Sequence, residues 1–334
     1  MTEPVPMAEL WRGGRRESLH LGYAVICDEN GGIVQSWGDP AVTIYPRSSC
    51  KMIQALPLIE SGAADAVGLT NSQLALSCAS HQGAALHTQA VKAWLTGLGM
   101  DEADLRCGSH EPYDTIERNR LIKTDESPCQ YHNNCSGKHA GFLTLNQHIG
   151  GGADYLDLDH PVQKAVKAAF EDVTGEASPG YGIDGCSAPN FATSLQGLAR
   201  AMGYFAAARD TGDARQKAAF RLTRAMVAHP DMVAGEGRAC TELMRAMGGT
   251  VAIKTGAEAV FVAILPEQKL GIALKIADGG TRGAEVAIAA LLVHQGVLDA
   301  EHPATRKRLN AVQRNCRGIA AAEIRAAPGF PAKA

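Results

Sequence analysis

Apolar and polar positions change rhythm twice along the chain. Residues 19–27 (LHLGYAVIC) and 33–37 (IVQSW) read as extended, and the Asn30-Gly31 step between them is a hairpin signal. From residue 48 the spacing shifts to threes and fours. SSCKMIQALPLIESG predicts a helix closing near Gly62, kinked or shortened at Pro57. A short helix follows, with Asn71 as its candidate N-cap. Residues 84–98 make an amphipathic helix closed by Gly99, 107–135 read as irregular, and another helix starts near Ser136. Further helices fit 161–173, 193–208, 214–228 and 237–247. Strand patterns return at 250–254, 259–265 and 269–277, a last helix fits 282–297, and the tail ending APGFPAKA is expected to be loosely held.

Strands at both ends around a helical middle predict an α/β (α+β) fold. Its antiparallel sheet would be built from the N- and C-terminal strands. The expected organisation is a single domain over 1–334, with a sheet part at about 1–60 and 245–334 and a helical part at about 61–244. The strand–helix alternation and glycine fingerprint of a dinucleotide-binding fold are absent.

Composition narrows the function. The 334 residues carry Lys+Arg 32 against Asp+Glu 35, a formal net charge of -3, which gives no footprint for nucleic acid. No apolar run approaches the roughly 20 residues of a membrane span, and the first residues do not read as a secretory signal. A cytoplasmic protein is expected. The 9 cysteines are scattered and odd in number, so a disulfide framework is not expected.

Four segments carry chemistry. Ser48-Ser49-Cys50-Lys51 places a hydroxyl and an amine on one face of a first helical turn. A serine becomes a nucleophile when a neutral lysine takes its proton. Lys254-Thr255-Gly256 follows at the end of a strand, and an S-x-x-K with a later K-T-G is the signature pair of penicillin-recognising serine enzymes. Ser80, in CASH, ends a short helix where it could face the same cleft. Between these lies Asn133-Asn134-Cys135-Ser136-Gly137-Lys138-His139-Ala140-Gly141, and Asp184-Gly185-Cys186 offers a second thiol. Two cysteines and a nitrogen leave an open position on a zinc ion, and spacing alone favours His139 as that nitrogen. Two buried cysteines would give the same pattern. Last, Glu236 and Arg238 stand between glycines at a helix start, and Arg47 precedes Ser48. Each suits a small zwitterion and equally suits a solvated surface.

Taken together, RSSCK (47–51), CASH (78–81), DLRCG (104–108), NCSGKHAG (134–141), DGC (184–186), HPDMVAGEGRACTELM (229–244) and the lysine strand (250–256) resemble the rhizobial-type L-asparaginases, the asparaginase II family. The resemblance implies a fold like serine β-lactamases and penicillin-binding proteins, and hydrolysis of L-asparagine to L-aspartate and ammonia. It implies two Ser-Lys pairs, Ser48 with Lys51 and Ser80 with Lys254, and a homodimer. It also implies zinc held by Cys135, Lys138 and Cys186. That displaces His139 to the lining of the substrate site, with Arg47, His81, Asp184, Glu236 and Arg238. Cys240 matches a family cysteine near the site. The alternatives are a β-lactamase or peptidase relative, a glutaminase, and a non-catalytic zinc or amino-acid sensor.

Overall fold

A computed structural model describes residues 3–332. The chain divides into two compact units. One holds the residues up to Ser49, Ser194–Ala207, and those from Glu242 onward; the other holds Cys50–Thr193 and Ala208–Thr241. Helix Leu195–Ala207, which the sequence pattern groups with the helical middle, therefore lies in the sheet unit.

The sheet unit is antiparallel and draws on both ends of the chain. Its order runs Ala311–Arg314, Ala320–Ala326, Val5–Arg12, Arg15–Cys27, Leu270–Ile276, Val260–Leu265, Ala252–Thr255, with Ile33–Trp37 also paired to Arg15–Cys27. The expected first hairpin forms. Asp28 closes it by accepting the Asn30 and Gly32 N–H groups, and Gly31 takes the left-handed φ of 85°. The pattern misses strand Val5–Arg12, whose mixed polarity hides its burial. The tail is not loose: Ala320–Ala326 pairs along Val5–Arg12 in the register Leu10–Ile324, and Ile324 packs with Leu10, Ala8 and Val286. Helix Leu195–Ala207 packs on the Arg15–Cys27 and Leu270–Ile276 strands, glycine against glycine: a Cβ on Gly271 would lie 2.1 Å from the Gly203 nitrogen.

The other unit is mainly helical. The expected helix from 48 breaks into Lys51–Gln54 and Leu56–Glu60, because Pro57 belongs at a helix start, where its missing N–H costs nothing. The cap of helix Asn71–Ser77 is Thr70, not Asn71; its side chain accepts the Gln73 N–H while Gln73 returns a bond to the Thr70 N–H. The stretch expected to be irregular holds helix Thr115–Thr124, capped by Asp114. Its polar faces give no apolar stripe to detect. Helix Ser136–Ile149 is buried over its first eleven residues and packs on Asn71–Ser77. Among the described residues, no helix is long and apolar enough to cross a membrane.

Candidate active site

In the helical unit, Lys51 opens helix Lys51–Gln54 and is 1% exposed. Its Nζ donates to the Ala79 carbonyl at 2.5 Å and lies 3.0 Å from both Ser80 Oγ and Cys135 Sγ. Ser80 sits on the extended stretch after helix Asn71–Ser77, and its N–H donates to the Val233 carbonyl at 2.9 Å. The third and fourth motifs thus converge with CASH. Gly235, at φ 109°, lies so close to Gln82 that a Cβ there would meet the Gln82 side chain at 2.5 Å. Arg238 is half-buried with its guanidinium 5.9 Å from the centre of the Tyr113 ring, whereas Glu236 is exposed.

The two thiols meet beside a second amine. Lys138 Nζ is 3.0 Å from Cys186 Sγ, and Cys135 shares a hydrogen bond with Cys186. That bond and the two lysines hold the Cys186 thiol well below the ordinary range, while the same bond together with burial raises that of Cys135. Burial opposes the charge on Lys138, yet Cys186, Cys135 and Asp184 outweigh it and its pKa rises. Burial also pushes the neighbouring Cys50 thiol up to about 12. Asp184 is half-buried and accepts the Gly185 N–H.

Two thiols and an amine within bonding distance of one another are donors of the kind zinc takes. The fit depends on the amine: among the described residues, no group of three or more His, Cys, Asp or Glu could hold a metal ion. His139, the nitrogen that spacing favoured, is fully buried. Its Nδ1 is bonded to Tyr155 Oη at 2.8 Å, and its Nε2 is buried without a hydrogen-bond partner. His81 is also fully buried, so neither ring presents surface to a solute.

In the sheet unit, Lys254 is fully buried on strand Ala252–Thr255 and donates to the Thr255 carbonyl at 2.8 Å. The following Gly256 presses on the turn that carries Ser48: a Cβ there would lie 2.7 Å from the Pro46 carbonyl and 3.1 Å from the Ser49 nitrogen. The S-x-x-K start and the K-T-G end are thereby packed together. Ser49 Oγ bonds the Pro46 carbonyl at 2.7 Å, which turns it away from chemistry, and Arg47 holds a left-handed φ of 53°. A non-glycine residue in that region carries about 1–3 kcal/mol of strain, which is found mostly at functional sites.

The motif read from the sequence includes the two asparagines before Cys135 but gives them no role. Asn133 Oδ1 accepts the Cys135 N–H at 2.9 Å while its Nδ2 ties the DLRCG segment through the Cys107 and Gly108 carbonyls. Asn134 Oδ1 is 3.1 Å from Cys135 Sγ. An Asn doublet before a cysteine is the available signal, since Asn side chains bond backbone two residues on.

The L-asparaginase II family model matches residues 8–326. The chain belongs to the L-asparaginase II family. No curated protein matches it. Among solved structures it is similar to Mglu in its tris and glutamate form, with 12% identity, a TM-score of 0.47, and 84% of this chain covered. The chain spans 60% of the length of that Mglu chain. A β-lactamase from Mycobacterium bovis is similar at 11% identity and a TM-score of 0.38, covering 83% of this chain and 95% of that one.

Proposed function

We propose that this family member is an L-asparaginase, hydrolysing L-asparagine to L-aspartate and ammonia through serine hydroxyls and lysine amines. The observation that carries the reading is the Lys51 amine, buried and 3.0 Å from Ser80 Oγ where the family's motifs converge. A neutral amine at that distance can take the hydroxyl proton as the oxygen attacks the side-chain amide carbon. The proton then passes to the departing ammonia, and water hydrolyses the acyl-enzyme. Backbone N–H groups beside the attacking oxygen would stabilise the oxyanion.

The contact favours Ser80 as the partner of Lys51. The resemblance instead pairs Lys51 with Ser48, one helical turn before it along the chain, and Ser80 with Lys254. Cys135, Lys138 and Cys186 would hold zinc, which when bound supplies a positive charge that orients and polarises the substrate. Asp184, Glu236, Arg238 and Arg47 are the charged side chains proposed to read the α-amino and α-carboxylate groups. A homodimer and a cytoplasmic location belong to the same reading.

The test is ammonia release from L-asparagine and L-glutamine by the wild type and by Ser48→Ala, Ser80→Ala and Lys51→Ala, with bound metal assayed on the same samples. Turnover of L-asparagine is expected, lost in Lys51→Ala and in whichever serine variant forms no acyl-enzyme. Binding without turnover, or full turnover in both serine variants, would overturn the mechanism. Preferred turnover of L-glutamine or of a chromogenic cephalosporin would overturn the substrate.

A further inference from the structure

We propose that His81 is a positioning residue. It clamps the Ser80 stretch to the Cys135–Lys138 turn as a neutral imidazole carrying its proton on Nε2. The proposal rests on the asparaginase reading only for its kinetic consequence; the clamp itself is a statement about hydrogen bonds.

The ring is fully buried, so it acts from behind the site. Its Nδ1 accepts the Gly83 N–H at 3.1 Å, and a ring nitrogen that accepts carries no proton. The proton therefore sits on Nε2, 2.9 Å from Ser136 Oγ. Ser136 spends its own hydroxyl proton on the Tyr131 carbonyl at 2.9 Å, which leaves a lone pair to accept from His81. Every donor in this chain has an acceptor and the direction is fixed throughout: Gly83 to His81 to Ser136 to Tyr131. A backbone bond from the His81 N–H to the Asn134 carbonyl, 3.2 Å, runs beside it.

Residues 81–83 are thus stitched to 131–136 at several points. Ser80 immediately precedes one side of the seam; Cys135 and Lys138 flank the other. His87 closes the back. Its ring stacks on His81 with centroids 4.8 Å apart and planes 10° from parallel, and its Nε2 bonds the Asp231 carbonyl at 2.9 Å. Asp231 lies two residues before Val233, whose carbonyl receives the Ser80 N–H. Burial and the surrounding His87, Lys51, His132 and His110 all disfavour a charge on His81, in keeping with a neutral ring. Phenylalanine would preserve the stack and cut the seam. Glutamine would restore a donor toward Ser136.

The experiment compares His81→Phe, His81→Gln, Ser136→Ala and the double variant His81→Phe/Ser136→Ala, with ¹⁵N NMR of the wild-type histidine rings. Misplacing reacting groups by about 1 Å can cost on the order of 100-fold. His81→Phe should lose about that factor in kcat, with KM changed less than about threefold. Ser136→Ala should lose about tenfold, the weight of one hydrogen bond. The double variant should be no slower than His81→Phe, and His81→Gln should recover about tenfold. Wild-type His81 should show the Nε2–H pattern, kept in Ser136→Ala, where Gly83 still donates to Nδ1, but with the Nε2 resonance shifted by loss of its acceptor.

Unchanged kcat in His81→Phe, a loss confined to KM, additive effects in the double variant, or an Nδ1–H ring would each overturn the clamp. If His81→Phe does not fold, Ser136→Ala and His81→Gln carry the same test. The NMR pattern reads the clamp whether or not L-asparagine is the substrate, so failure of the functional reading and failure of the clamp are separate results.

Discussion

Gly137 fixes how closely the segment bearing Cys135 and Lys138 approaches the helix leading to Ser80. A Cβ on Gly137 would lie 2.3 Å from the Leu76 carbonyl oxygen and 2.6 Å from Leu76 Cγ. Ordinary contact begins near 3.4 Å, so helices Ser136–Ile149 and Asn71–Ser77 must part by about 1 Å to admit one methyl group. Gly137 has no left-handed φ, so alanine suits its backbone and should gain about 1 kcal/mol of helix propensity. Against that gain stands about 1–3 kcal/mol of overpacking. Stability should therefore fall by at most about 2 kcal/mol. Turnover is far more sensitive, because Lys138 is the next residue and the displacement acts on the distances that bring Cys135 to Lys51 and Ser80. A loss on the order of 100-fold in kcat is expected. The assay is ammonia release beside calorimetric Tm for Gly137→Ala. Gly97→Ala is the control, since nothing lies within 4 Å of the Cβ it adds. Wild-type turnover in Gly137→Ala with a raised Tm would refute the close-approach argument.

In the sheet unit, Gly271→Ala drives its methyl into the Gly203 nitrogen at 2.1 Å and the Ala199 carbonyl at 2.3 Å, both backbone, and should cost about 3 kcal/mol by urea titration; an unchanged midpoint would contradict the packing. His81 and His87 have pKa values lowered by burial, so the unfolded chain binds protons below about pH 6.5 that the folded one refuses. Stability should thus hold above that pH and fall by about 1.4 kcal/mol per unit per histidine as acid is added. His81→Gln and His87→Gln should flatten the urea midpoint against pH between 6.5 and 5, and an unchanged slope would count against neutral rings. Deleting residues 319–334 removes the strand paired with Val5–Arg12 and uncovers Leu10, so the shortened chain should aggregate; a soluble product with wild-type Tm would restore the view of a loose tail.

The motifs were more legible than the framework that holds them. A hairpin announced by Asn30-Gly31 and helices with an apolar stripe follow from local pattern, and they form. Strand Val5–Arg12 does not announce itself, because Glu9 sits in it almost fully buried, held by Trp11 and Arg16 rather than by apolar neighbours. Strand Ala320–Ala326 owes its order to a partner more than 300 residues away, and no window along the chain contains that partner. Among candidate side chains, spacing favoured His139 over Lys138 as the nitrogen beside the thiols. Three-dimensional packing separates them, turning His139 to Tyr155 and Lys138 to Cys186. The contact of Lys51 with Ser80 joins residues 29 apart, across a turn whose length no periodicity sets.

Charge balance explains why sulfur, and not a carboxylate, sits beside the Lys138 amine. A buried ammonium without a counter-charge costs several kcal/mol and sheds its proton. Cys186 suits that need, since the hydrogen bond with Cys135 and the two lysines hold its thiol well below the ordinary range. The two thiols share one hydrogen bond that favours charge on Cys186 over Cys135, with Lys138 3.0 Å from Cys186. A serine at 186 could not ionise near neutral pH, and an aspartate would bring the charge on hard oxygen, less suited to the zinc the family resemblance implies. A thiolate is the side chain that both neutralises a buried amine and ligates a soft-tolerant metal. The ion pair and the ligand set fall on the same three residues but not in the same state: binding zinc would require Lys138 and Cys135 to give up the protons that the ion pair holds.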